Sequence, residues 1–175
     1  MSAVARAWPM PSALALLAAL VGCHGDRGWS GDVPSADAAS FQATAYPVLM
    51  RDCAFTECHG APQRFLQVFG PGRTRLDPQT KTDEPPTLDE LQVSYERTLS
   101  VLALEGAFGI EDSRLLRKPL AISAGGVGHE GVDVYGRNVF PDKFSPGYVA
   151  LLHWAETAMG ASSAVAPPLA GTGSR

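Results

Sequence analysis

Two cysteines and a histidine stand close together in residues 53–60, Cys-Ala-Phe-Thr-Glu-Cys-His-Gly. Two thiols followed directly by an imidazole are the groups that covalent haem attachment uses. Cys53 and Cys58 can each form a thioether with a haem vinyl group, and His59 can then bind the iron. The usual attachment motif has two residues between its cysteines, whereas this chain has four. The chain holds one such group, so the pattern predicts at most one covalent haem c.

Two other uses of these residues stay open. A Cys53–Cys58 disulfide would leave His59 as a surface residue, but so short a loop removes little conformational entropy from the unfolded chain. A zinc site would need a fourth ligand, and the neighbouring side chains of Cys58 and His59 rarely point at one ion. Haem attachment, by contrast, gives the adjacent histidine a role.

The N-terminal residues are typical of an export signal. Arg6 precedes a short apolar run at residues 13–20, which is shorter than the about 20 residues that a membrane-spanning helix needs. Residues 20–23, Leu-Val-Gly-Cys, resemble the lipobox of bacterial lipoproteins, whose cysteine is lipidated and becomes the first residue of the mature chain. This resemblance implies a signal peptide over residues 1–22 and a lipid anchor at Cys23. The alternative is an ordinary signal peptide with an unrelated cysteine.

Lipidation of Cys23 would also account for the odd number of cysteines. The chain has three, and an odd thiol in an exported protein needs an explanation. With Cys23 modified, Cys53 and Cys58 remain as one pair, which in an oxidising compartment is either disulfide-bonded or covalently occupied. We therefore expect a protein of the cell envelope, lipid-anchored to a membrane and facing the periplasm or the cell exterior.

Charge and motifs exclude several classes of function. The chain has 14 basic and 18 acidic residues, a formal net charge of −4, which gives no electrostatic basis for binding nucleic acid. Mild acidity would suit a basic redox partner protein. No Ser/His/Asp order, paired-carboxylate motif or phosphate-binding loop is present, so the sequence does not predict an enzyme.

The mature chain divides into a tether, one folded domain and a tail. Residues 23–34 are rich in Gly, Asp and Ser and predict a flexible tether, and residues 161–175 predict a disordered tail. Residues 35–160 have the size of one small domain. We expect this domain to be mainly α, with three principal helices around one haem, long loops and a possible short strand at residues 64–68.

Apolar periodicity and end signals place the three helices at residues 35–52, 87–106 and 145–160. The first begins with Ser35 as its N-cap and is interrupted near Pro47. In the second, Thr87 and Glu90 form a capping box. The third begins with proline at its first helical position. The predicted buried faces are Leu88, Leu91, Tyr95, Leu99 and Leu102 in the second helix and Tyr148, Leu151, Leu152, Ala155 and Met159 in the third.

Residues 41–60, with Phe41, Tyr46-Pro47-Val48-Leu49, Cys53 and Cys58-His59-Gly60, resemble the start of a class I cytochrome c domain. The resemblance is to the version in bacterial lipoproteins and in modules of planctomycete and myxobacterial proteins. Later pieces are similar as well, and together they cover most of residues 41–159. They are residues 113–120, the glycine-rich loop with His129, and residues 148–154. The resemblance implies that the first and last helices cross at one haem edge, where Phe41, Tyr46 and Trp154 pack.

The resemblance also implies that the second axial ligand lies in the loop before the last helix, where His129 stands among glycines. Glycines at 125, 126, 128 and 131 would let the backbone approach a flat cofactor. The other candidates are Met159, His153, Met50 and an open position without a protein ligand. We expect His153 to be exposed. Met50 is too close to Cys53 to reach the opposite face of the haem. Ligation by two histidines would hold the potential lower than ligation by histidine and methionine. Candidate partners of the haem propionates are Arg73, Arg75, Arg117 and Lys118.

These patterns predict a lipid-anchored, monohaem c-type cytochrome that transfers one electron at a time at the cell envelope. One alternative is a haem-based sensor or binding module whose sixth position is vacant or labile. The other is a haem-free envelope lipoprotein in which Cys53 and Cys58 form a disulfide.

Overall fold

The computed structural model describes residues 35–103, 109–129 and 138–160, all within one compact unit, Val33–Arg175. These residues are mainly helical, as the sequence predicts. Their strand-like pairing is limited to an isolated parallel bridge between Leu120 and Phe140, so the possible strand at residues 64–68 is instead irregular loop. The predicted signal peptide, Cys23, the tether up to residue 34 and the predicted tail lie outside the described residues.

Helix α1 covers residues 38–52 in three continuous parts, which are α-helical Ala38–Ser40, π-helical Phe41–Ala45 and α-helical Tyr46–Asp52. The N-cap is Asp37, whose side chain accepts a hydrogen bond from a first-turn amide, so the prediction of Ser35 was wrong by two residues. The predicted interruption is the π-helical turn just before Pro47. There the N–H of Tyr46 donates to the carbonyl of Phe41, five residues back, and Pro47 has no N–H to continue the usual pattern.

Helix α2 covers Leu88–Ala103, and the predicted capping box is present at its start. The Glu90 N–H donates to Thr87 Oγ1 at 3.1 Å, and the Thr87 N–H donates to Glu90 Oε2 at 2.9 Å. The predicted end at Gly106 lies outside the described residues. Of the predicted face, Leu88 is 46% exposed, and the remaining members are buried, namely Leu91, Tyr95, Leu99 and Leu102.

Two further helices follow, the short α3, Arg114–Arg117, and α4, Pro146–Gly160. Helix α4 begins with Pro146, as predicted, and its buried face is formed by Tyr148, Leu151, Trp154 and Ala155, with Leu152 half-buried. The side chain of Met159 lies outside the description. None of the helices in the described segments is long and apolar enough to span a membrane.

An aromatic cluster joins the three long helices. Phe41 of α1 lies 5.3 Å from both Tyr95 of α2 and Trp154 of α4, measured between ring centroids. The Tyr95 hydroxyl donates to the Ala36 carbonyl and the Trp154 indole N–H to the Asp37 carbonyl, so both polar groups are used at the start of α1. Helices α1 and α4 therefore pack through these rings, which contact one another rather than the cavity described next.

Candidate functional site

A cavity of about 630 Å³ lies between all four helices and the loops that follow α1 and α3. Its apolar walls come from one leucine or valine of each helix, namely Leu49, Val101, Leu115 and Leu151. Charged side chains also line it, namely Arg51, Asp52, Glu57, Arg64, Arg114 and Lys118. A cavity of about 300–1,000 Å³ with apolar walls and few polar groups is typical of cofactor sites. The fold therefore offers space for a cofactor beside its aromatic cluster.

The structure brings four of the predicted site residues to this cavity, namely Cys53, Cys58, His59 and His129. Both cysteines are free thiols, Cys53 buried and Cys58 half-buried. The rings of His59 and His129 come from distant parts of the chain, yet their centroids are only 6.0 Å apart and their planes are tilted by 41°. Two thiols and two imidazoles therefore share one cavity.

The backbone around His59 fixes the tautomer of its ring. Its Nδ1 lies 2.8 Å from the carbonyl oxygen of Leu66. Because a carbonyl only accepts, Nδ1 carries the proton and Nε2 keeps a lone pair. Burial lowers the pKa of His59, and this outweighs the Leu66 carbonyl, which acts in the opposite direction. A neutral imidazole whose second nitrogen is hydrogen-bonded to a carbonyl is the form that metal-binding histidines take.

The four residues between the cysteines are accommodated in a closed loop. The His59 N–H donates to the Cys53 carbonyl at 3.0 Å, which joins the two ends of the loop. The Cys58 N–H donates to the Phe55 carbonyl at 2.8 Å, which forms a tight turn within it. Residues 55–57 are exposed. The additional residues are therefore exposed to solvent, although Phe55 and Glu57 also line the cavity, as both cysteines do.

Gly60, directly after His59, stands where no side chain fits. A Cβ at this position would lie 2.8 Å from Thr74 Oγ1 and 2.9 Å from the Ala54 carbonyl oxygen, closer than real Cβ atoms come to such groups. The Thr74 hydroxyl donates to the Gly60 carbonyl at 2.8 Å. The glycine of the motif thus allows another loop to contact the backbone next to His59.

The Cys53 thiol is held in its protonated form. Burial raises its pKa to about 12, and the nearby Asp52 and Cys58 act in the same direction. A thiol with this pKa is not a thiolate at neutral pH, so it lacks the form that binds bare metal ions or attacks disulfides. Within the described ranges, no three His, Cys, Asp or Glu side chains are grouped to hold a bare metal ion.

The glycines before His129 close the loop onto its own backbone. Gly125 has a φ of +96°, in the left-handed region that favours glycine. A Cβ on Gly126 would lie 1.9 Å from the Leu120 carbonyl oxygen, so this glycine is needed for contact with the loop itself. Both glycines therefore have a role within the loop itself, and the expectation that they approach a flat cofactor stays a prediction. Gly131 lies outside the described residues.

Residues at the end of α3 hold the segment that carries His129. The Val127 N–H donates to the Arg117 carbonyl at 3.0 Å. The Lys118 ammonium donates to the Gly128 carbonyl, also at 3.0 Å, and Lys118 itself lines the cavity. These two bonds bring the backbone on the N-terminal side of His129 to the cavity wall.

The other candidates for the second axial position are placed differently. His153 is exposed on α4, as predicted. The Met50 side chain lies against Gly70, where a Cβ would come within 2.8 Å of Met50 Cε. Within the described part of the chain, His129 is the candidate that lines the cavity.

Three of the four predicted propionate partners are used elsewhere. Arg75 forms a buried ion pair with Glu90, Arg73 contacts the Phe55 ring, and Arg117 lies 4.0 Å from Asp112. Lys118 alone of the four lines the cavity. The basic residues that the sequence reasoning missed there are Arg51, Arg64 and Arg114. They come from separate elements, so no local pattern relates them to one another. The Leu66 carbonyl was also missed, because a backbone group carries no sequence signal.

Comparisons with known proteins add no family to this description. No family model matches the chain. No curated protein and no solved structure matches it either. Its function must therefore be inferred from the cavity and the residues that line it.

Proposed function

We propose that this chain is an exported, lipid-anchored c-type cytochrome that carries one haem and transfers one electron at a time at the cell envelope. The supporting observation is the convergence of two thiols and two imidazoles on one cavity of about 630 Å³. In this proposal the fold is cytochrome c-like, with the three long helices α1, α2 and α4 around the haem.

The separation of the two imidazoles fits a single metal ion between them. If one nitrogen of each ring bound the same ion, a metal–nitrogen bond of about 2 Å and about 1 Å from nitrogen to ring centroid would allow centroids up to about 6 Å apart. The centroids of His59 and His129 are 6.0 Å apart. With two protein ligands, the other coordination positions are left for the ring nitrogens that a haem supplies.

The cysteines would hold the haem covalently. Each thiol would add its S–H across one vinyl double bond, which would form a carbon–sulfur bond, place the hydrogen on the neighbouring carbon and leave the number of electrons unchanged. Because Cys53 and Cys58 are both free and both line the cavity, each is available for this addition. When bound, the haem supplies an iron that changes reversibly by one electron.

The remaining lining residues would control the environment of the haem. The leucines and the valine of the four helices would limit access of water to a bound haem, which is one means by which a protein sets a reduction potential. Four basic side chains line the cavity, namely Arg51, Arg64, Arg114 and Lys118, and their positive charge would favour the carboxylates of the haem propionates there.

The first experiment is expression with an export signal in a host that attaches haem c. We expect the intact mass to include one haem and the pyridine haemochrome spectrum to be that of haem c, with both signals lost in Cys53→Ser/Cys58→Ser. A parent protein without a haem adduct would refute the proposal, and a mass lower by two hydrogens would favour the disulfide-bonded lipoprotein.

Carbon monoxide then distinguishes an electron carrier from a haem-based sensor. We expect no binding to the ferrous carrier, whereas binding would favour a sensor with a labile sixth ligand.

A further inference from the structure

Three consecutive residues, Arg73, Thr74 and Arg75, connect the loop of residues 53–60 to helices α1 and α2. We propose that this segment, called the clamp below, holds the loop in the shape that thioether formation at both cysteines requires before any haem is bound. Arg73 and Thr74 are then positioning residues for haem attachment, an inference that rests on the proposed function.

Arg73 connects the end of α1 to the exposed part of the loop. Its Nε donates to the Met50 carbonyl at 3.1 Å, one of the carbonyls that a helix leaves without a partner in its last turn. Its guanidinium lies over the ring of Phe55, 4.2 Å from the centroid. A cation at this distance from an aromatic face is attracted to it. Arg73 therefore holds Phe55, the residue whose carbonyl forms the turn before Cys58.

Thr74 fixes the other end of the loop. Its hydroxyl donates to the Gly60 carbonyl at 2.8 Å, and its own carbonyl accepts from the Gly70 N–H at 3.1 Å. Because Gly60 is covalently next to His59, this contact restrains the backbone that carries the proximal imidazole.

Arg75 makes the clamp rigid. Its Nε and Nη2 each donate to one carboxylate oxygen of Glu90 at 2.8 Å, and the two side chains are only 6% and 1% exposed. Further bonds go to the carbonyls of Glu84 and Pro85. Glu90 also caps α2, so the clamp is tied to the start of a helix. Bidentate arginine–carboxylate pairs have a fixed geometry, which makes this end a firm support.

The long spacing between the cysteines explains why such support is needed. Four intervening residues have more backbone freedom than two, and ordering each residue costs conformational entropy. None of the clamp contacts involves the thiols of Cys53 and Cys58 or the imidazole of His59, so all of them can form in the haem-free protein. The clamp can therefore order the loop independently of haem.

Thr74→Val and Thr74→Ser test this proposal as a pair, because valine keeps the shape of threonine without its hydroxyl and serine keeps the hydroxyl. Thr82→Val is the control, since Thr82 is exposed on the same loop and contacts Gly72 through its carbonyl. The first measurement is the rate at which iodoacetamide alkylates the buried Cys53 in reduced, haem-free protein. We expect Thr74→Val to raise this rate about fivefold, the effect of one hydrogen bond on the opening equilibrium. Thr74→Ser and Thr82→Val should match the parent.

The second measurement is the fraction of loaded protein whose haem is bound through one cysteine, from the pyridine haemochrome band and peptide mapping. We expect this fraction to rise in Thr74→Val and not in Thr74→Ser. If Thr74→Val showed the parent's alkylation rate and the parent's fraction of haem bound through one cysteine, the clamp proposal would be wrong. If Thr74→Val does not fold by circular dichroism, Arg73→Met replaces it, with the same expected results. A parent that takes up no haem would refute the proposed function, whereas the alkylation rates would still decide whether the clamp holds the loop.

Discussion

The Arg75–Glu90 pair allows us to predict how much stability the protein loses when Arg75 is replaced. In Arg75→Met, the Glu90 carboxylate loses both guanidinium hydrogen bonds while its side chain stays only 1% exposed. Removing one partner of a buried ion pair costs about 3–5 kcal/mol. Glu90 keeps the N–H groups of Leu76 and Thr87 as donors. We therefore expect the free energy of unfolding to fall by about 3 kcal/mol at pH 7, the low end of this range.

The same substitution should change the pH dependence of stability. Burial alone would raise the pKa of Glu90, but hydrogen bonds from Arg75 and the backbone N–H groups of Thr87 and Leu76 outweigh it, so the pKa is lowered. The parent therefore gains stability above the unfolded-state pKa of about 4.3 and loses it as the pH falls through the lower folded value. Without Arg75, burial dominates and the pKa of Glu90 rises. The cost of Arg75→Met should then be largest at neutral pH and shrink as the pH falls from the raised pKa of Glu90 in the variant to its lowered pKa in the parent, so that the cost is smaller at pH 4 than at pH 7.

Urea unfolding of the purified protein at pH 7 and pH 4 measures both effects. With a slope of about 1–3 kcal/mol per molar urea, a loss of about 3 kcal/mol moves the midpoint by about 1–3 M. The control is Arg75→Met/Glu90→Gln, which removes the buried charge, should be more stable than Arg75→Met at pH 7, and has no titrating group at position 90. Equal losses at the two pH values, or a loss below about 1 kcal/mol at pH 7, would refute the buried ion pair as the cause.

Three further predictions concern the site and its location. His129→Ala should convert the low-spin absorption spectrum of the loaded protein to a high-spin one, with His153→Ala as the exposed control, and an unchanged spectrum would remove His129 as a ligand. Gly60→Ala should destabilise the haem-free protein by about 1–3 kcal/mol in urea unfolding, because its Cβ would lie 2.8 Å from Thr74 Oγ1. Gly128→Ala is the matched control, since a Cβ there meets nothing within 4 Å, and equal effects would contradict the steric cause. Cys23→Ser should move the protein from the membrane fraction to the soluble envelope fraction, and continued sedimentation with membranes would argue against a lipid anchor.

Local signals in the sequence predicted the helices well. The capping box of Thr87 and Glu90 acts over three residues, so its pattern is visible in the chain and present in the structure. Proline at the start of α4 is equally local. The start of α1 was misplaced by two residues because Ser35 and Asp37 are both good caps, and only the path of the chain decides between them.

Contacts between distant residues were beyond the sequence patterns. Nothing in the sequence pairs Arg75 with Glu90, so Arg75 was assigned to a propionate instead. Trp154 was expected to pack with Phe41, and it does, but the partner of its indole N–H, the Asp37 carbonyl, was not predicted. In both cases a hydrogen-bonding group found a partner that was distant in sequence, and such partners depend on the folded chain.

The spacing of the two cysteines shows why counting residues was an incomplete test of the motif. A count compares positions along the chain, whereas attachment requires two thiols at one cavity beside the proximal imidazole. Here the hydrogen bond from the His59 N–H to the Cys53 carbonyl brings the ends of the loop together, and residues 55–57 are placed at the surface. With this closure, Cys53, Cys58 and His59 line the same cavity. The longer loop needs more ordering in return, and the contacts of Arg73 and Thr74 supply it from outside the motif.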